Sequence, residues 1–158
     1  MSEQTGAQIS LKELLVEETV AVGLVADSWQ QAVEKVGHLL HSAGFIELAY
    51  IEAMKRTINE LGPYSVIAPG IALPHARPED GVRRTGFGLI TLEHPVEFGN
   101  EANDPVDIVV AFAAVDKETH VQALRQIAAV LGSQKAVAAM RGAKNKQQLL
   151  DEIHGQLA

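Results

Sequence analysis

The 158-residue chain contains no cysteine, which removes disulfides, thiolate metal sites and cysteine nucleophiles together. Any thiol chemistry in which it takes part must belong to a partner. It also lacks G-x-x-x-x-G-K-[ST], G-x-G-x-x-G and G-x-S-x-G, so nothing in it reads as a cradle for nucleotide phosphates or as a serine nucleophile elbow. No apolar run approaches the length that crosses a bilayer, and Met1 to Gln8 has neither the basic start nor the apolar stretch of a signal peptide. A cytoplasmic protein is expected. Positive charge is scarce too: 13 Lys and Arg stand against 20 Asp and Glu, a formal net charge of -7. That balance argues against sequence-independent nucleic-acid binding, which needs an excess of phosphate-neutralising side chains.

What is present is an ordinary apolar content of 47%, enough for a hydrophobic core in a single domain over residues 1–158. Residues 1–8 are polar and expected to be mobile, and Ser10-Leu11-Lys12-Glu13 has the form of a capping box opening a short helical turn. Valine-rich Thr19 to Val25 suits a strand. Ser28 then opens a helix with Trp29, Ala32, Val33, Val36, Leu39 and Leu40 on one face, which Gly44 ends. A second helix runs from about Glu47 to Leu61 and stops at Gly62-Pro63.

Ser65 to Leu73 reads as short-stranded and bent at Pro69-Gly70, Arg77 to Arg84 as a loop, and Thr85 to Leu92 as a strand. Val106 to Val115 is almost continuously apolar, the pattern of a central strand covered on both faces. Helices follow at Thr119 to Leu131, Gln134 to Met140 and Asn145 to Leu157. The order strand, two helices, three strands, three helices predicts an α/β fold, a three-layer α/β/α sandwich around a small mixed parallel and antiparallel sheet.

The most informative stretch is Gly70-Ile71-Ala72-Leu73-Pro74-His75-Ala76-Arg77, because it holds one imidazole between Pro74 and Pro78 beside a guanidinium. Both prolines fix their own φ and bias Leu73 and Arg77 toward extended backbone, so His75 lies on a stiff, non-helical segment. Imidazole titrates near neutrality and offers a nucleophilic nitrogen without an unusual environment. Arg77 adds planar donors suited to phosphate oxygens. A loop histidine that merely bonds a backbone carbonyl is the alternative.

A second histidine stands where a strand end meets a helix start. In Thr119-His120-Val121-Gln122, Thr119 reads as the N-cap and His120 as the first helical residue. Ligands of open α/β sheets bind outside the carboxyl ends of strands, and a helix N-terminus favours an anion while disfavouring protonation of His120. Thr119 and Arg77 are therefore the candidate phosphoryl-binding residues beside the histidine pair. A surface histidine at an ordinary cap is the alternative for His120. His38, His41, His94 and His154 carry no local mark of function, and no H-E-x-x-H is present; neither a metal nor a cofactor is expected.

These residues resemble the enzyme IIA domains of the mannitol and fructose type, the type-2 enzyme IIA family of the bacterial sugar phosphotransferase system. The resemblance rests on Ile71-Ala72-Leu73-Pro74-His75, followed about 45 residues later by His120 opening a helix after an apolar strand. Gly62-Pro63-Tyr64, Ile67-Ala68-Pro69-Gly70, Pro74 to Glu79 and Asn103-Asp104-Pro105-Val106-Asp107 look most like the ascorbate-specific branch. The resemblance implies that His75 takes a phosphoryl group on Nε2 from the histidine phosphocarrier protein. It then donates the group to a cysteine of a cognate enzyme IIB, with the membrane enzyme IIC involved only indirectly and His120 assisting. Mannitol-type members also use an upstream arginine and glutamate. Here Arg56 is out of register and Pro69 stands in the glutamate region, so those roles are not carried over, and Arg77 is taken as the charge near the phosphoryl group.

Two partners docking in turn over one crevice call for an apolar rim, and Leu73, Val82 and Phe98 are the candidates for it. Two other functions fit less of the sequence. One is a regulatory module of the same fold, of the nitrogen type, whose phosphorylation changes affinity for a target without sugar transport. The other is a metal-dependent hydrolase using His75, His120 and Asp116.

Overall fold

The computed structural model describes residues 11–155. The expected mobility of residues 1–8 and the Ser10 cap lie outside them. The elements run α1 (Leu11–Leu14), β1 (Val20–Leu24), α2 (Trp29–Ser42), α3 (Leu48–Leu61), β2 (Val66–Ala68), β3 (Ile71–Ala72), β4 (Gly86–Val96), β5 (Val106–Ala113), α4 (Lys117–Leu131), α5 (Gln134–Gly142) and α6 (Lys146–Gly155). Short 3-10 turns lie at Glu17–Thr19, Pro63–Ser65 and Pro78–Asp80.

Every residue of β5 except Asp107 is buried, as an inner strand covered on both faces requires. Ile108, Val110 and Phe112 pack with Ala123, Ile127, Met140, Leu149 and Ile153 of α4, α5 and α6. The alternate residues Val109, Ala111 and Ala113 pack with Val33, Val36, Leu40, Ile51 and Met54 of α2 and α3. This period-two division makes the three layers. Gly88 lets α2 approach the sheet closely, since a Cβ there would lie 2.9 Å from Val36 Cγ2 and 3.1 Å from Leu40 Cγ. A buried Leu, Ile, Val or Phe contributes about 1.5–3 kcal/mol, whereas an exposed ion pair such as Arg83 with Glu47 contributes under about 1 kcal/mol. The two apolar faces hold the sandwich.

The sheet order is β1-β4-β5-β3-β2. β1 is parallel to β4, β4 antiparallel to β5, β3 parallel to β5, and β2 antiparallel to β3. β5 is thus central and the sheet mixed, as expected. The stretch from Ser65 to Leu73 is two strands, because Gly70 turns at φ +77° and reverses the chain between them. Its carbonyl accepts from the amides of Asp107 and Ile108, and the Arg141 guanidinium bonds both Asp107 and the Pro69 carbonyl. β4 continues past Leu92 to Val96, through exposed Glu93, His94 and Pro95. The pairing shifts register between Thr91 and Val96 before Val96 meets Val106, and such an irregularity accommodates a proline within a strand.

Ser28 caps α2 by accepting from the Gln31 amide, and Gly44, at φ +86°, follows its C-cap. α3 begins at Leu48 with Glu47 as N-cap and ends at Gly62. These boundaries follow the sequence expectations to within a residue. α4 does not: it begins two residues earlier than Thr119, with Asp116 as N-cap.

Candidate functional site

Past β3 the chain keeps to β5 for one more bond. The Phe112 amide donates to the Pro74 carbonyl at 2.9 Å, and His75 stands opposite Phe112 in parallel register. Nδ1 of His75 lies 2.9 Å from the Leu73 carbonyl oxygen. A carbonyl can only accept, so the proton of the neutral ring is on Nδ1 and the lone pair is on Nε2. The loop-histidine alternative and the nucleophile reading thus describe the same bond: the carbonyl contact sets the tautomer that leaves a nucleophilic nitrogen.

His120 comes from the first turn of α4. Asp116 Oδ1 accepts the Thr119 amide at 2.8 Å, and Thr119 Oγ1 lies 3.4 Å from the Asp116 amide. The capping box is therefore Asp116 with Thr119, not Thr119 with Gln122, and His120 is the fourth helical residue rather than the first. The correction has a chemical consequence. The Thr119 and Glu118 amides, which would have met an anion at the helix end, are directed at the Asp116 carboxylate. Those two bonds and the Thr119 hydroxyl hold that carboxyl below its ordinary range.

The two imidazoles meet edge to face, with centroids 6.0 Å apart and planes at 64°. Phe112 lies beneath them, its centroid 4.8 Å from His120 and 6.4 Å from His75. Burial pushes the His120 pKa below the ordinary imidazole value, and the neighbouring His75 pushes it the same way. His120 is thus a neutral donor at physiological pH.

Both rings open onto a cleft of about 700 Å³ between α3 and the start of α4. Arg56, Arg77 and Lys117 line it against the carboxylates of Glu60 and Asp80, a local excess of positive charge in a chain of net charge -7. Leu61 from α3 and Val121 from α4 stand on opposite sides, 64% and 48% exposed.

A model of the family described as "Phosphoenolpyruvate-dependent sugar phosphotransferase system, EIIA 2" matches residues 13–155. The chain belongs to this family. It is a phosphotransferase component, a phosphocarrier in sugar transport. The ascorbate-specific EIIA component of Escherichia coli (strain K12) is 40% identical over 147 residues, covering 92% of this chain and 96% of that protein. The solution structure of the mannitol-specific cryptic phosphotransferase enzyme IIA from Escherichia coli superposes with a TM-score of 0.84 at 32% identity, covering 92% of this chain and 98% of that one. Enzyme IIA in the Escherichia coli complex with phosphorylated mannitol enzyme IIB matches with a TM-score of 0.78 at 25% identity, covering 90% and 99%.

Within this enzyme IIA chain, four residues singled out from sequence take different places. His75 and His120 come together at the cleft. Arg77 lines it, but its Nε and Nη2 each donate to Asp80 at 3.3 Å, its amide donates to Asp80 Oδ2 at 2.9 Å, and Glu79 lies 3.8 Å away. That guanidinium is largely occupied. Thr119 does not line the cleft; its hydroxyl bonds within the cap and accepts from Thr85 Oγ1 at 3.2 Å.

The rim differs from expectation. Leu73 and Phe98 are core residues on opposite faces of the sheet, 5% and 4% exposed, and Val82 is half-buried against the same face as Phe98. Their apolar character is spent on packing, and Leu61 and Val121 present the exposed apolar surface instead. Lys117, Leu61 and Val121 were missed from sequence, and Arg56, set aside there as out of register, lines the cleft. Arg56, Thr57, Glu60 and Leu61 recur at helical spacing on one face of α3, a signal available in the sequence once that face is known to border His75. Among the described residues, no three His, Asp or Glu side chains converge to hold a metal ion.

Proposed function

We propose that Nε2 of His75 is the phosphoryl acceptor, taking the group from the phosphohistidine of the phosphocarrier protein and passing it to a cysteine of enzyme IIB. The observation that carries this is the 2.9 Å bond from Nδ1 to the Leu73 carbonyl, which leaves the Nε2 lone pair for attack. In the first half-reaction that lone pair forms the new N–P bond as the donor's N–P bond breaks, its electron pair remaining on the donor imidazole. In the second, the enzyme IIB thiolate forms a P–S bond and the pair of the breaking P–N bond returns to Nε2. Leu73 stabilises the cationic character that the His75 ring gains, by accepting from Nδ1–H more strongly.

Catalysis of this kind is positioning and charge stabilisation. His120 donates to an equatorial oxygen of the transferring group, and Arg56 and Lys117 supply charge around it. Arg77 acts mainly through Asp80, holding the Pro78–Asp80 turn beside the histidine, and Thr119 acts by fixing the start of α4. Leu61 and Val121 are the apolar part of the docking rim.

The sugar read from the relatives is L-ascorbate, since the ascorbate-specific component is 40% identical across nearly its whole length. Among the described residues no helix is long and apolar enough to cross a membrane, which accords with a cytoplasmic relay. One domain spanning the chain carries both half-reactions.

Incubation with phosphoenolpyruvate, enzyme I and the phosphocarrier protein, followed by intact mass measurement, tests the reading. One acid-labile phosphoryl group located on His75 is expected. Labelling of another residue, or none, would refute the assignment.

A further inference from the structure

We infer that Tyr50 is a positioning residue for phosphoryl transfer: its hydroxyl, inserted between the Ala76 amide and the Phe112 carbonyl, releases the chain from the sheet at His75. This rests on the reading of His75 as the acceptor.

Two backbone bonds are due where a residue stands in parallel register opposite another. Opposite Phe112, one would run from the Phe112 amide to the Pro74 carbonyl and the other from the Ala76 amide to the Phe112 carbonyl. The first is made at 2.9 Å. The second passes through a side chain from another layer. Tyr50 Oη accepts the Ala76 amide at 2.8 Å and donates to the Phe112 carbonyl at 2.7 Å. A hydroxyl has one proton, so the Ala76 carbonyl, at 3.2 Å from the same oxygen, is only a minor competitor for it.

The relay replaces a direct bond of about 2.9 Å with two bonds in series. Ala76 is therefore held one hydroxyl away from β5, and the chain turns out of the sheet toward the cleft immediately after the histidine. Tyr50 lies in the third position of α3 and is fully buried. A phenylalanine would fill the same space, so packing does not explain the hydroxyl, and a buried hydroxyl costs stability unless it is paired. Here its pairing is spent on the two backbone groups that flank the histidine and its floor. Burial also raises the phenol pKa far above the usual range, so the relay stays neutral at physiological pH. With the Leu73 amide bonded to the Ser65 carbonyl at 2.7 Å, the segment is fixed on both sides of the ring.

The test is Tyr50→Phe beside Ile51→Val, a conservative core change one residue away that touches none of these groups. With the phosphorylated carrier protein as donor, the maximal rate for Tyr50→Phe should fall about 10- to 100-fold, the cost of a small misplacement of a reacting group. The half-saturating donor concentration should stay within about twofold, and Ile51→Val should keep the wild-type rate. Amide hydrogen exchange on the unphosphorylated protein reads the geometry alone: Ala76 should lose protection in Tyr50→Phe while the amides of β5 keep theirs. A wild-type maximal rate in Tyr50→Phe, an equal loss in Ile51→Val, or unchanged Ala76 protection would overturn the inference. Failure of the wild-type protein to be labelled on His75 would instead overturn the acceptor assignment, which the exchange result does not depend on.

Discussion

The edge of one imidazole faces the other across the cleft: His75 and His120 are 6.0 Å apart between ring centroids, at 64°, over the face of Phe112. The pair is asymmetric. His75 is tied to the Leu73 carbonyl through Nδ1, while His120 is held by its place in α4 and by a pKa depressed through burial and through His75. In the proposed mechanism the first ring attacks and the second remains neutral and donates.

Removing each ring should therefore have a different effect. His75→Ala should abolish phosphorylation, since no other nucleophile occupies its position. His120→Ala should still be labelled, but more slowly, having lost a transition-state donor worth about 2–4 kcal/mol, or roughly 30- to 1000-fold in rate. Time courses of intact mass for the two variants check both outcomes; full-rate labelling of His120→Ala would remove it from the mechanism.

The depressed pKa of His120 predicts how stability varies with pH. Its pKa lies below the ordinary value of 6.5, so between the two values the unfolded chain binds more protons than the folded one. Stability then rises with pH through that window. Acidification from about pH 7 through 6.5 and below should therefore destabilise the protein. Asp80 and Asp116, also depressed, titrate below 3.8 and act in a separate, more acidic window. Denaturant unfolding between pH 7.5 and 5 checks this, with His120→Gln expected to flatten that part of the curve.

The fold was legible where local chemistry decided it. Ser28, Gly44 and Gly62-Pro63 marked helix ends by capping and conformational rules that need no tertiary context, and the almost continuous apolar run of β5, broken by Asp107 alone, reads as an inner strand. His75 was legible because two prolines bracket it. Asp116 and Thr119 were harder: both are good caps, each three residues before a polar partner. Asp116 prevails because its carboxylate and the Thr119 hydroxyl each reach the other's backbone amide. Leu73 and Phe98 could not be placed on the rim or in the core from sequence, since their burial depends on distant segments packing over them. Arg77 looked free because Asp80, three residues on, lies in what the sequence shows only as the Arg77 to Arg84 loop, with no sign that it is the partner of Arg77.

That partnership separates the three cleft cations. Arg56→Gln or Lys117→Gln should lose a charge-assisted contact worth about 1.5–3 kcal/mol, slowing transfer roughly 10- to 150-fold. Arg77→Gln should slow it only a few-fold, because its charge is already shared with Asp80 and Glu79. Single-turnover transfer rates at two salt concentrations check the ranking. An Arg77→Gln defect larger than that of Arg56→Gln would restore Arg77 as the direct phosphoryl contact.

The approach of the chain to His75 depends on Gly70, and its replacement is the stability prediction that bears most on the site. At φ +77° an L side chain is strained, and a Cβ there would collide with the Arg141 guanidinium and lie 3.0 Å from Asp107 Oδ1. Gly70→Ala should therefore cost about 1–3 kcal/mol and force Arg141 off Asp107 or off the Pro69 carbonyl. Arg141→Ala removes the collision but leaves the backbone strain. If the collision matters as well as the strain, the double variant Gly70→Ala/Arg141→Ala should be less destabilised than the sum of the two single changes. Chemical denaturation of the four proteins in a double-mutant cycle measures that coupling, and strict additivity would show that strain alone makes the glycine necessary.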